Sequence, residues 1–308
     1  MTENYIKNNR LISEKDWQNN ISKLETKYEN LIDNKHLAIR LIQRYLTEAI
    51  KKRATNIFAI LLSGGLDSTL LAIISKNLNL NFTCYSIGLK DSEDLKFAIK
   101  LAKKYKLKHK IRILSLKEVE DALKQVIQII KEQDVVKLEI GILIYLALKE
   151  IKKDNIKVVL TGLGAEEMFG GYQRHQDLYN DQKQVHEECW RGLKHDLYQR
   201  DLTRDVNIAL NFDIDVRTPF LDEDIIKQGM FIHPTLKVDE IRRKIILQEL
   251  ALSLDISEEF ALRPKKAAQY GSSISKAIEK LTKQNNFKFK KDYIFSIGKL
   301  QKPKDLHK

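Results

Sequence analysis

Glycine is scarce in this chain, and half of the glycines lie in two short segments. The 308 residues include 12 glycines, six of which fall within residues 64–65 and 162–171. Because glycine lets the backbone turn tightly or approach a ligand closely, it concentrates where a binding loop needs that freedom. We therefore expect the chemistry of this protein in these two loops.

The first loop, residues 62–68, has the sequence L-S-G-G-L-D-S. It lies between a predicted buried strand and a predicted helix, whose amino end offers N–H groups and partial positive charge to phosphate oxygens. Ser63 and Ser68 add hydroxyl donors, and Asp67 adds a carboxylate of the kind that binds Mg²⁺. The loop lacks the Gly-Lys-Ser/Thr of a Walker A loop and the G-x-G-x-x-G of a dinucleotide fold, so it predicts a different phosphate-binding loop.

Strands and helices alternate around these loops. Apolar runs predict strands at residues 57–62, 81–87, 109–114 and 158–161, and helical spacing predicts helices at 66–78, 94–105, 116–131 and 138–152. Alternation of this kind predicts an α/β fold with a parallel sheet, whose ligands bind at the carboxyl ends of the strands.

The flanking segments read as helical. Residues 17–52 predict two helices that precede the sheet, and after Glu166 the pattern predicts helices only, at 169–191, 194–211, 223–231 and 238–252. We therefore divide the chain into four parts: a helical N-terminal segment (1–53), a core with the phosphate-binding loop (54–170), a helical C-terminal lobe (171–280) and a basic tail (281–308).

Composition excludes several classes of protein. Hydrophobic residues make up 43% and charged residues 31%, which is ordinary for a globular chain and argues against disorder. The longest apolar run, residues 140–148, is too short for a membrane span, and the amino end shows no apolar leader. Cys84 and Cys189 are the only cysteines, so we expect a reducing, cytoplasmic location.

The net charge is +12, and residues 281–308 supply half of it with eight lysines and two aspartates. A solvated lysine-rich surface and a functional basic tail that binds nucleic acid both fit this distribution.

Several motifs resemble one enzyme family. The loop at 62–68 resembles the PP-loop of ATP pyrophosphatases, which split ATP between the α and β phosphates. Residues 161–172, T-G-L-G-A-E-E-M-F-G-G-Y, resemble an element of the synthetase domain of asparagine synthetases, as do V-R-T-P-F-L-D at 216–222 and the helix at 244–249. These motifs occur in the expected order over about residues 38 to 275. The resemblance implies a doubly wound parallel sheet of the PP-loop (adenine nucleotide alpha hydrolase-like) type.

The same resemblance assigns residues to ATP and Mg²⁺. It implies that Asp67 and Glu166 hold the metal, and that Lys244 steadies the α-phosphate and the adenylate, as a compact ammonium beside a dividing triphosphate would. The implied ATP site consists of Leu62, Ser63, Gly64, Gly65, Leu66, Asp67, Ser68, Ile87, Thr161 and Gly162.

Several positions depart from the family pattern, among them Glu166, which stands where the family usually has aspartate. Leu163 stands where asparagine synthetases carry a glutamate that assists attack by ammonia, and leucine cannot accept a proton. Glu139 stands where the family has a substrate-side arginine, and we expect Glu139 to act as the substitute catalytic base. In these departures the chain most resembles the asparagine synthetase domain-containing proteins. Thr2 follows Met1 where the family's glutaminase nucleophile is a cysteine, so we expect no glutaminase activity.

These observations predict an ATP-dependent amide ligase that forms an acyl-adenylate and releases AMP and pyrophosphate. Its partners would be a small carboxylic acid and ammonia or an amine, or nitrogen from a separate glutaminase subunit. Asparagine synthesis itself, tRNA as a partner and a homodimer stay open. The rival hypotheses are a PP-loop enzyme that modifies tRNA, favoured by the basic tail, and a catalytically silent ATP-binding protein, favoured by Leu163.

Overall fold

A five-stranded parallel sheet forms the centre of the computed structural model, which describes residues 3–7, 10–25, 27–264 and 267–300 (299 and 300 as backbone only). A short antiparallel hairpin of β1 (Ile6–Lys7) and β2 (Arg10–Leu11) precedes it. The strands of the sheet are β3 (Phe58–Leu61), β4 (Phe82–Gly88), β5 (His109–Ile113), β6 (Val158–Leu160) and β7 (Asp215–Arg217). Their spatial order is β5-β4-β3-β6-β7.

Helices cover both faces of the sheet, so the fold is the predicted doubly wound α/β type. The first six are α1 (Glu14–Ser22), α2 (Lys35–Arg53), α3 (Leu66–Asn77), α4 (Glu93–Lys104), α5 (Leu116–Ile130) and α6 (Val135–Lys153). Alternate residues of β3 point to opposite faces: Phe58 and Ile60 join one buried cluster, and Ala59 joins the other. Because a strand buried on both faces has no polar side, its sequence is a continuous apolar run.

The C-terminal lobe is mostly helical. Its elements are α7 (Ala165–Met168), α8 (Gln173–Asp177), α9 (Gln182–Arg191), a π-helical segment (Gly192–Leu202), α10 (Thr203–Phe212), α11 (Glu223–Met230), α12 (Ile245–Ser253), α13 (Glu258–Ala261), α14 (Ala268–Gly271), α15 (Ile274–Gln284) and α16 (Lys290–Leu300), with short 3₁₀ turns at Pro219–Leu221 and Pro234–Leu236.

Two helices predicted as continuous are interrupted. The predicted helix at 169–191 is wrong, because Gly170 takes a left-handed φ of 68° and the chain turns before α8. The predicted start of the helix at 238–252 is also wrong. Lys244 has a left-handed φ of 55°, and Val238 bridges Arg243 across a tight turn, so α12 begins only at Ile245.

The expectation of helices alone after Glu166 is corrected by β7. This strand pairs in parallel with β6, Val216 opposite Val159, at the edge of the sheet. With three residues, of which only Val216 is buried, β7 carries too little apolar pattern to be recognised as a strand.

The described part of the predicted basic tail is mostly helical and packs into the core of the protein. Residues 281–284 end α15, and α16 buries Tyr293, Ile294 and Ile297 in the cluster beneath α5 and α6. The lysines of this segment therefore belong to helices that also contribute residues to the core. Residues 301–308 of that predicted tail lie outside the described residues. Within the described chain, no helix is long and apolar enough to cross a membrane.

The strand order creates a crevice at one edge of the sheet. After β3 the chain builds β4 and β5 on one side, then crosses to place β6 and β7 on the other. In open α/β sheets, ligands bind at such a switch point, outside the carboxyl ends of the strands. The two glycine loops follow β3 and β6, so both lie at this crevice.

Lys237 is fully buried in the lobe beside this crevice. Among the described contacts its Nζ reaches the sulfur of Met230, at 3.7 Å, and no carboxylate. Burial lowers the pKa of Lys237, since an apolar environment disfavours the charged amine. A buried lysine without a carboxylate partner reduces the stability of the fold.

We expect Lys237→Met to stabilise the protein by about 1 kcal/mol or more, because methionine fills a similar volume without a charge to desolvate. Urea unfolding measures this. Because folding lowers the pKa of Lys237, the unfolded chain binds more protons than the folded one between the folded pKa and 10.5. The wild type is therefore destabilised less as the pH rises towards 10.5, and the gain from Lys237→Met should shrink. An unchanged or reduced stability at neutral pH would contradict the prediction.

Candidate active site

The loop after β3 folds around the amino end of α3. Gly65 is the N-cap of α3, and a glycine here supplies no capping side chain to the first N–H groups. The hydroxyl of Ser68 accepts a hydrogen bond from the Ser63 amide (3.3 Å), and the hydroxyl of Ser63 accepts one from the Gly65 amide (3.3 Å). Gly64 takes a left-handed φ of 69° that turns the chain between these hydroxyls. The result is a cradle of amides and hydroxyls, which suits phosphate.

An ammonium bridges two carboxylates beside this cradle. Lys244 Nζ donates to both carboxylate oxygens of Asp67, at 2.8 and 2.7 Å. It also pairs with Glu166 Oε1 at 2.7 Å. Asp67 comes from the first turn of α3, Glu166 from α7 and Lys244 from the N-cap of α12. The structure thus brings together three predicted site residues from distant parts of the chain.

This triad holds a charged amine away from water. Lys244 is only 8% exposed. Burial by itself would lower the pKa of Lys244, but the carboxylates of Asp67 and Glu166 outweigh it and raise the pKa to about 12. Lys244 is therefore a permanent cation at neutral pH, and it acts as an electrostatic group rather than as a base.

Two glycines of the second loop let the carboxylates approach. A Cβ on Gly162 would lie 2.7 Å from the Cβ of Asp67, which is too close for any side chain. A Cβ on Gly171 would overlap Glu166 Oε2 and lie 2.5 Å from Lys244 Cε. These positions therefore favour glycine for space, although neither has a positive φ.

The other predicted ATP residues line the same edge. Leu62 is buried at the end of β3, where its amide donates to the Tyr85 carbonyl, and Leu66 opens α3. Ile87 is half-buried near the end of β4. The Thr161 hydroxyl is buried and has no hydrogen-bond partner within the described chain. A buried hydroxyl of that kind favours a polar ligand at the end of β6.

Glu139 has a different environment. It lies in the first turns of α6, is 2% exposed, and pairs with Lys290 Nζ at 2.8 Å. Lys290, at the start of α16, also donates to Ser275. The described contacts of Glu139 are thus with the C-terminal helices and do not include the Lys244 triad. Its predicted role as a base stays a prediction, and that role requires Lys290 to release it.

Arg263 and Asp94 support the loop, a role that the sequence did not predict although both residues lie in segments that resemble the family. Arg263 donates to the Gly64 carbonyl at 2.9 Å and to Asp94 Oδ1 at 2.7 Å. Arg263 lies 199 residues from Gly64 in the chain, so spacing gives no signal of this contact.

Comparison with known proteins is consistent with this geometry. The sequence profile for asparagine synthase matches residues 41–187 and 177–288. The chain belongs to the asparagine synthase family. A putative glutamine-hydrolysing asparagine synthetase from Methanocaldococcus jannaschii is 32% identical over 81% of this chain and 52% of its own length. The glutamine-hydrolysing asparagine synthetase 1 of Arabidopsis thaliana is 31% identical over 73% of this chain and 39% of its own. The asparagine synthase family member described here thus spans about half the length of these relatives or less.

A more distant likeness is found among solved structures. The NMN synthetase from Francisella tularensis aligns with 87% of this chain and 93% of its own, with a TM-score of 0.43 and 12% identity.

The Asp67 and Glu166 carboxylates of this asparagine synthase family member also fit a magnesium ion. Mg²⁺ is commonly held by one or two carboxylates together with substrate phosphates and water. Both carboxylates already converge on a cation, the Lys244 ammonium, beside the phosphate cradle. Among the described residues, no cluster of three or more potential metal ligands exists.

We expect Gly171→Ala to fold normally but to bind Mg²⁺–ATP about tenfold more weakly or worse, because the new methyl group displaces the Glu166 carboxylate. Calorimetric titration measures the affinity. The control is Gly192→Ala, where the nearest atom to a Cβ is 3.3 Å away, on the side chain of Glu167. Equal affinities for the two variants would contradict the prediction.

Proposed function

We propose that this chain is an AMP-forming ligase of the asparagine synthase type, which activates a carboxylate with ATP and joins it to nitrogen. One observation carries the proposal: the Lys244 ammonium lies between Asp67 and Glu166, directly beside the loop at residues 63–68. With Asp67 and Glu166 turned to Mg²⁺, the positive charge of Lys244 would be available to stabilise the negative charge that develops when ATP divides between its α and β phosphates.

In the first half-reaction, the substrate carboxylate attacks the α-phosphate and pyrophosphate departs. We infer that the amides and hydroxyls of the loop, with Ser63 and Ser68, hold the departing pyrophosphate. Lys244 then neutralises charge on the α-phosphate and on the acyl-adenylate. Asp67 and Glu166 orient Lys244 and would hold Mg²⁺, which supplies further charge neutralisation when bound.

In the second half-reaction, nitrogen attacks the acyl-adenylate and AMP leaves. Nitrogen would come from ammonia, an amine or a separate glutaminase subunit. Leu163, half-buried beside Gly162, offers no proton acceptor where the family carries glutamate. We propose Glu139 as the substitute base, with Lys290 as the group that must move to free it.

Exchange of labelled pyrophosphate into ATP, screened across small carboxylic acids, tests the first half-reaction. We expect exchange with at least one acid, and a loss of about 10² or more in Lys244→Met because its charge acts in the transition state. Lys237→Met is the matched control, since that lysine is also buried but contacts no carboxylate in the described chain. If Lys244→Met still exchanged pyrophosphate, the proposal would lose its central residue. If the wild type exchanged pyrophosphate with none of the acids, a silent ATP-binding protein would be favoured.

The second half-reaction is tested at Leu163. We expect the wild type to make little asparagine from aspartate, ammonia and ATP, because Leu163 accepts no proton and Glu139 is paired with Lys290, and loss of a positioned base costs about 10² to 10⁴ in rate. Leu163→Glu should raise that rate if the acyl site accepts aspartate. The readout is asparagine formed per AMP released. Robust synthesis by the wild type, unchanged in Leu163→Glu, would show that Leu163 is not a functional departure.

A further inference from the structure

Arg263 contacts the phosphate-binding loop from the C-terminal lobe. Its side chain is 4% exposed, and one end of its guanidinium donates to the Gly64 carbonyl at 2.9 Å. The other end donates to Asp94 Oδ1 at 2.7 Å. The flat face of the guanidinium stacks on Phe97, 3.9 Å from the ring centre. Three independent contacts therefore fix both the position and the plane of this side chain.

The Gly64 carbonyl controls the direction of the next amide. A peptide bond is planar and trans, so the carbonyl of Gly64 and the N–H of Gly65 lie in one plane and point in opposite directions. Arg263 holds the carbonyl on one side. The Gly65 N–H then faces the Ser63 hydroxyl, at 3.3 Å, on the side of the cradle. Because Gly64 has a φ of 69° and no side chain, this peptide would otherwise reorient easily.

Asp94 compensates the charge of Arg263 and holds its guanidinium against the loop. It lies buried in the first turn of α4, where the helix dipole favours a carboxylate. A Cβ on Gly271 would overlap the Asp94 carboxylate, and Ser92 donates to the Gly271 carbonyl at 2.9 Å. The charge of Arg263 is thus balanced by Asp94. Its influence on the loop is mainly on geometry rather than on the charge that phosphate meets.

We propose that Arg263 is a positioning residue for nucleotide binding, which sets the Gly64–Gly65 peptide so that its N–H faces the phosphates. The inference rests on the proposed function, since it assigns the loop at residues 63–68 to ATP. Arg263 touches neither phosphate nor metal in this role. It acts through the backbone, so a group with the same charge but a different shape cannot replace it.

The test measures Mg²⁺–ATP affinity by calorimetry, at a temperature where every variant is folded by circular dichroism. Arg263→Ala should bind about tenfold more weakly or worse, because the loop is no longer held in its binding geometry. Millimolar guanidinium ion, which fits the vacated space, should restore much of that affinity. Arg263→Lys should stay weak, since an ammonium does not supply a planar fork to both Gly64 and Asp94.

Arg53→Ala separates positioning from general destabilisation. Its guanidinium is equally buried and pairs with Glu3 and Asp222, away from the loop. We expect Arg53→Ala to lower the melting temperature but to leave the ATP affinity unchanged, with or without guanidinium.

The remaining outcomes overturn one proposal or both. Unchanged affinity in Arg263→Ala would overturn the inference alone. So would an equal loss of affinity in Arg53→Ala, or the absence of guanidinium rescue. A wild type that binds no ATP would overturn the proposed function and this inference with it.

Discussion

One buried cation organises the site. Lys244 can remain charged out of water only because Asp67 and Glu166 compensate it, and each of the three residues comes from a different element. Removing Lys244 would take away the cation that compensates both carboxylates, and a broken buried ion pair is far more costly than the intact group. The loop after β3, the loop after β6 and the turn before α12 are therefore held at the same edge of the sheet.

Three glycines packed against acidic side chains are the second constraint. Gly162 lies against Asp67, Gly171 against Glu166, and Gly271 against Asp94. In each case a Cβ would overlap or crowd the acidic side chain. The carboxylates that hold Lys244 and Arg263 are thus confined by backbone that carries no side chain. This packing accounts for Gly162 and Gly171 in the second glycine loop.

The residues proposed for the first half-reaction retain the charges of the family pattern, whereas those proposed for the second depart from it. The groups that we propose for adenylation, Lys244 with Asp67 and Glu166, lie together, as the family resemblance implies. The groups for nitrogen attack differ, because Leu163 is apolar and Glu139 is engaged by Lys290. Adenylation needs fixed charge, whereas attack by nitrogen needs a proton acceptor, so divergence at Leu163 and Glu139 can change the product without disturbing the first step.

The sequence by itself determined the α/β class, four strands of the sheet and the loop at residues 63–68, because apolar runs and glycine pairs report local structure directly. It did not reveal β7 or the burial of α16, since those depend on contacts distant in the chain. The breaks at Gly170 and Lys244 were missed for another reason: helical apolar spacing runs across both positions, and a left-handed φ leaves no mark on that spacing. Motif resemblance named Asp67, Glu166 and Lys244, but only the tertiary structure placed their charges on one another and set Arg263 on Gly64, 199 residues away. Pairing of this kind is decided by packing, which local pattern does not encode.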